Sequence, residues 1–276
     1  MGKVQTYGNL ESYFSKVESF LLENEFKNNL FWEVTRRIRK RGKTALAANV
    51  FLNGKISMSC MVTPSGYLLL SEGERESWSI LSKYVKAQKW KIKGVTGPDE
   101  SVRSFSSEWS EGLKDLPPVG KEFMIYSSSC SRLLENRQPP SLKVVDPESW
   151  SRIRAWTTIF ANESAPPVNA SALLSISREM MNLGNLFILH KEGVGPCAMG
   201  GFGRSTPNTL VINEVFVPKD LRGMGYGSEL ISGLMGEAHK REVANCLLFS
   251  DFVGPINLYD RLGFTKVLTF CEQALE

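Results

Sequence analysis

A run of glycines behind an arginine has the clearest chemical capacity in this sequence. Arg222, Gly223, Met224, Gly225, Tyr226, Gly227 and Ser228 follow a β-rich run that stops at Val217 and Pro218. Beyond them Leu230, Ile231, Leu234, Met235 and Ala238 recur at helical spacing, so the run opens a helix with one buried face. Glycines let successive backbone N–H groups face a ligand, and a helix N-terminus carries roughly half a positive charge. Arg222 adds a permanent cation. A diphosphate is the natural guest of such a turn. It is not a Walker loop, which needs a Lys-Ser/Thr pair after its last glycine. Nor is it the dinucleotide fingerprint GxGxxG, because it reads G-x-G-x-G.

The other reactive side chains read more plainly. Cys60, Cys130, Cys197, Cys246 and Cys271 are scattered without CxxC spacing. That fits reduced thiols in a cytoplasmic protein, not a disulfide framework or a zinc site. Cys197 and Cys246 fall in strands and read as small core residues. His190 ends a strand and His239 a helix, with no HExxH around either, so no metal is expected. The most basic run, RRIRKRGK at 36–43, reads as the solvated end of a helix whose cations meet its dipole. No aromatic interleaving accompanies it, so nucleic acid is not an expected partner. The net charge of +4 is mild and compatible with an anionic ligand. No apolar stretch approaches the ~20 residues of a membrane helix, and the N-terminus has no apolar region of a secretory signal.

The elements that must position the glycine turn are legible in outline. The 276 residues suffice for two domains, and the prolines of ENRQPPS at 135–141 mark the expected linker. The division expected is 1–138 and 142–276. In the first half the spacing predicts helices over 10–22 and 30–41, the second capped by Gly42. Asn53 and Gly54 predict a hairpin turn between two strands. A strand at 67–71, a helix at 74–88, a strand at 91–95, a helix at 99–109 and a strand at 123–127 follow. In the second half a strand at 142–145 leads to Asp146 and Pro147, an N-cap and first-turn proline for a helix through Trp156 and Phe160. A helix over 170–181 and strands at 186–190, 197–202 and 210–217 precede the glycine turn and its helix. A strand at 246–251, a short helix at 257–262 and a strand at 265–270 close the chain. The order is α+β.

With the pattern Arg-x-x-Gly-x-Gly at 222–227 and the run Asn257, Leu258, Tyr259, Asp260, Arg261, Leu262, Gly263, Phe264 one strand later, the second half resembles the GCN5-related N-acetyltransferase (GNAT) family. The resemblance implies a central, mostly antiparallel twisted sheet flanked by helices. It further implies that the backbone of Phe216 and Val217 pairs with the pantetheine arm of acetyl-CoA. The amides of Gly223, Met224, Gly225, Tyr226, Gly227 and Ser228 would hold the pyrophosphate, with Arg222 beside it and Asn257 contacting the cofactor. Tyr259 falls where the family places the acid that protonates the departing thiolate. Glu214 falls where members often carry a carboxylate that draws a proton from the amine through water. The segment 251–259 is about two residues shorter than the family pattern, and Gly254 stands where asparagine is common. The first half lacks RxxGxG, but the spacing of Thr63, Pro64, Gly94, Gly97, Pro98 and Trp109 resembles the degenerate N-terminal copy of two-domain GNAT proteins. The implied activity is transfer of an acetyl group to a primary amine of a small or amino-acid-like acceptor. A non-catalytic acyl-CoA sensor and a protein N-terminal or lysine acetyltransferase are the alternatives. No membrane partner is expected, and a homodimer is left open.

Overall fold

The computed structural model describes residues 2–40, 46–110, 119–131, 139–164, 167–250 and 258–275. The capping role expected of Gly42 and part of the basic run therefore lie outside the described residues. The chain divides into two compact units, Met1–Met124 with Val267–Glu276, and Ile125–Lys266. The last strand thus groups with the first unit, whereas the sequence pattern assigns it to the second half.

The first unit begins with β1 (Lys3–Thr6), α1 (Leu10–Glu23), α2 (Asn29–Lys40), β2 (Ala47–Leu52), β3 (Lys55–Val62) and β4 (Tyr67–Leu70). Then come α3 (Arg75–Ala87), β5 (Gly94–Pro98) and α4 (Asp99–Trp109), and β6 (Val119–Ser129) leads into the second unit. Helix α1 starts where the Asn9 side chain accepts from the Ser12 N–H at 2.8 Å, satisfying a donor that the helix cannot. The β2–β3 hairpin turns on Asn53 and Gly54 at φ 50° and 81°, the left-handed pair that a two-residue hairpin demands. The strands run β1-β2-β3-β4-β5, and the C-terminal strand β12 (Thr265–Ala274) pairs with β5. Its Cys271 and the following Leu275 enter the core around Val50, Met58, Leu81, Val95 and Phe105. Strand β1 is not legible in the sequence because its pattern, mostly exposed at an edge, carries no apolar alternation.

The second unit contains β7 (Lys143–Val144), a 310 turn Pro147–Ser149, α5 (Trp150–Glu163), α6 (Ala170–Asn182), β8 (Leu186–Lys191), β9 (Gly195–Ser205) and β10 (Thr209–Phe216). A 310 turn Lys219–Leu221, α7 (Tyr226–Lys240), β11 (Asn245–Ser250) and a single helical turn, α8 (Leu258–Arg261), follow. Strands β7, β8, β9 and β10 are antiparallel neighbours, and β11 lies parallel to β10. A parallel neighbour requires a crossover, which α7 supplies. Met199 of β9 joins the core with Ile153, Met180, Ile188 and Phe216 under α5 and α6. A Cβ placed on the adjacent Gly200 would instead meet Leu230 and Leu234 of α7 at 3.1 and 3.4 Å. Successive strand residues face opposite ways, so the helices cover opposite faces of the sheet. The α+β class, and the order of strands and helices after β1, are as the sequence indicated.

Candidate active site

Strand β10 does not run regularly. Asn213 pairs with Gly201 and Phe216 with Met199, so three steps along β10 match two along β9. The extra residue is a β-bulge, and within it Glu214 takes φ 55°, a left-handed conformation unusual for a side chain larger than Asn. Such a residue costs about 1–2 kcal/mol, held by the strand pairing on either side.

The bulge delivers the Glu214 side chain into the protein, where the residue is 4% exposed. One carboxylate oxygen, Oε2, lies 2.6 Å from the Ser177 hydroxyl of α6. The other, Oε1, is buried with no hydrogen-bond partner. Burial pushes the carboxyl up to about 7, while the Ser177 hydrogen bond pulls it back down. Ser177 Oγ also sits 3.1 Å from the Leu173 carbonyl and 3.0 Å from the Thr157 hydroxyl of α5. A hydroxyl has one proton to give. When Glu214 is charged, Ser177 donates to it. When Glu214 is protonated, its own O–H can donate to Ser177, whose proton then turns to Leu173. The pair therefore serves both protonation states without moving a heavy atom.

The parallel register of β10 and β11 runs from Thr209 and Asn245 to Ile212 and Leu248. Where it ends, a cavity of about 180 Å³ opens, lined among others by Phe160, Leu173, Glu214, Phe249, Ser250 and Tyr259. Tyr259 comes from α8, its ring centroid 6.0 Å from those of Tyr126 and Phe264. Glu214 and Tyr259, separate in sequence, thus line one cavity.

Beyond β10 the chain turns through Pro218 and the 310 turn to Arg222, then Gly223 at φ 80° and Gly225 at φ 87°. Gly225 caps α7 without a side-chain hydrogen bond. The first N–H groups of a helix have no acceptor within it, so those of Tyr226, Gly227 and Ser228 are available to a ligand. A Cβ on Gly223 or Gly225 would meet nothing within 4 Å. Their need is for the left-handed backbone that exposes the amides, and Met224 between them is 58% exposed. Arg222 is tied to this turn: its Nε donates to the Val217 carbonyl at 3.0 Å, and its guanidinium pairs with Glu163 of α5. Phe216 is buried against the Trp156 ring at 5.9 Å. Open amides, a helix N-terminus and an adjacent cation fit a diphosphate. Asn257 lies outside the described residues.

The same station in the first unit is built differently. Parallel strands β4 and β5 are likewise joined by a helix, α3. The turn between β4 and α3 reads Ser71, Glu72, Gly73, Glu74, with Glu72 held by Lys27 at 2.8 Å. Two carboxylates at that point oppose an anion.

Ser177, Thr157 and Glu163 join the site without having been expected from sequence. Thr157 stands between Ile153 and Ala161 on one buried stripe of α5, and a hydroxyl in that stripe is the signal that was present. Among the described residues, no cluster of three or more His, Cys, Asp or Glu is arranged to hold a metal, and no helix is long and apolar enough to cross a membrane.

Against known proteins, a family model described as the acetyltransferase (GNAT) family matches residues 150–264. No curated protein sequence matches the chain. An acetyltransferase of the GNAT family from Colwellia psychrerythraea is similar in fold, with a TM-score of 0.62 over 99% of this chain and 100% of that one at 14% identity. A GCN5-related N-acetyltransferase from Sphaerobacter thermophilus gives 0.59 over 98% and 94% of the two chains, also at 14% identity. A tandem GNAT protein from the clavulanic acid biosynthesis pathway gives 0.52 over 99% and 98% at 10% identity. At these identities the likeness is one of fold, and it extends over both units.

Proposed function

Because the chain carries a domain of the acetyltransferase (GNAT) family over residues 150–264, a family of acyl transfer, we propose that it moves an acetyl group from acetyl-coenzyme A to the primary amine of a small acceptor. The observation that supports this most is the buried carboxylate of Glu214 on the β10 bulge, sharing a cavity with Tyr259 and lying one strand end from an exposed glycine turn. Acetyl-coenzyme A supplies the acyl group as a thioester. In this reading the amides of 223–228 and Arg222 hold its pyrophosphate, and the backbone of Phe216 and Val217 holds its pantetheine arm.

The acceptor nitrogen forms a bond to the acyl carbon as the carbon–sulfur bond breaks. Glu214 takes the proton that the nitrogen sheds, and Tyr259 gives a proton to the sulfur. The products are an acetamide and a free thiol, so atoms and charge balance. A base that titrates near 7 is matched to this task, because it is substantially ionised at neutral pH yet still basic enough to accept a proton. Ser177 holds the carboxylate in place and follows its change of charge. The five cysteines, buried and unpaired with one another in disulfides, fit a reducing compartment, and we assign the protein to the cytoplasm.

Thiol release from acetyl-coenzyme A with a panel of amines tests the reading. Glu214→Gln is expected to lower kcat/KM by about a hundredfold or more with coenzyme A binding intact. Tyr259→Phe should lower it less, because water can protonate a thiolate. Binding of coenzyme A without any transfer would replace the enzyme with an acyl-CoA sensor. The absence of a heat of association with coenzyme A at millimolar concentration would remove both.

A further inference from the structure

The cavity beside Glu214 constrains the acceptor itself, an inference that rests on the proposed reaction in placing the acceptor there. Phe160, Leu173, Leu248 and Phe249 give it apolar surface, Asn213, Ser250 and Tyr259 give it neutral polar groups, and Glu214 is the charged group among its described lining residues. Among the described residues no Lys, Arg or His lines it. Arg204 lies with its guanidinium 4.6 Å from the Phe249 ring centroid, but it is not among the lining residues.

The lining fixes the sign and the size of a guest. An ammonium brought to Glu214 gains an opposite charge in a site with little water, where the attraction is strong. A carboxylate or phosphate brought to the same place meets Glu214 as a like charge and no cation to offset its lost hydration. A cavity of roughly 150 Å³ with apolar walls is enough for a benzene-sized molecule. This one, at about 180 Å³, takes one ring or a short branched chain in addition to the amine. We infer that the acceptor is a primary amine of about that size, carrying neither carboxylate nor phosphate. That narrows the amino-acid-like acceptor expected from sequence to an amine without the acid.

Phenethylamine and L-phenylalanine make a matched pair, since they differ by the carboxylate alone. Their binding to the full chain, followed by calorimetry and ligand-observed NMR at pH 8 without coenzyme A, is expected to favour phenethylamine by about tenfold or more. Leu173→Trp, which fills the cavity, should abolish phenethylamine binding. Should that variant fail to fold, Glu214→Gln serves instead, and the ratio between the two ligands should fall at least about fivefold. Equal or tighter binding of phenylalanine overturns the inference, and so does binding of neither. It is overturned as well if the folded variants leave the ratio unchanged. Because the readout is binding, a protein that prefers phenethylamine but never consumes acetyl-coenzyme A would uphold the cavity's specificity while removing the proposed reaction.

Discussion

Glu214 ties its own protonation to folding. An ordinary glutamate titrates near 4.5, whereas here burial lifts the group to about 7, so the folded chain holds the proton more tightly than the unfolded one. The group therefore costs nothing below about 4.5, and its burden grows as pH rises, reaching about 3 kcal/mol above 7. Glu214→Gln should accordingly raise the unfolding temperature by several degrees at pH 8 and leave it nearly unchanged at pH 4.5, as calorimetry at the two pH values would reveal. An equal shift at both would mean that the charge is not what burdens the fold. The sequence singles out Glu214 and Tyr259 because they flank recognisable motifs, and both line one cavity. Ser177 was not legible in it, since its carboxylate partner is 37 residues away and a serine in a helix announces nothing. The bulge was hidden too, because one extra residue leaves the apolar content of a strand unaltered.

At the scale of elements, the glycine turn was readable for a local reason: backbone that must be left-handed leaves glycine as its trace. Asn53 and Gly54 were readable for the same reason, and both positions have positive φ. Gly225 offers a clean test of that logic, since a methyl there would touch nothing within 4 Å and any cost is conformational. Gly225→Ala is expected to lower stability by about 1 kcal/mol, and Gly225→Asn by less, because Asn tolerates the left-handed region. Urea unfolding of the two variants distinguishes this from a steric effect, in which the larger Asn would be worse. The linker region is where local signals served least. Its prolines marked a break in the pattern, yet compactness divides the chain at Met124 and Ile125 and again at Lys266 and Val267. Long-range strand pairing decides that division, and no window of sequence contains it.

At the scale of the whole molecule, the first unit depends on residues from the far end of the chain. Strand β12 pairs from Phe270 to Ala274 with β5, and Cys271 and Leu275 are fully or nearly fully buried in the first unit's core. A chain stopped after residue 264 should therefore destabilise the first unit even though none of residues 1–124 is touched. Hydrogen exchange should locate the loss of protection in β5 and its neighbours; a loss confined to the region of α8 would contradict the assignment. The same arrangement constrains synthesis. Residues 1–124 leave the ribosome while the strand that completes their sheet is still more than a hundred codons from translation. Until then the rim of β5 stands bare, so a nascent first unit is a natural client for chaperones and settles only once residues 267–276 have been made.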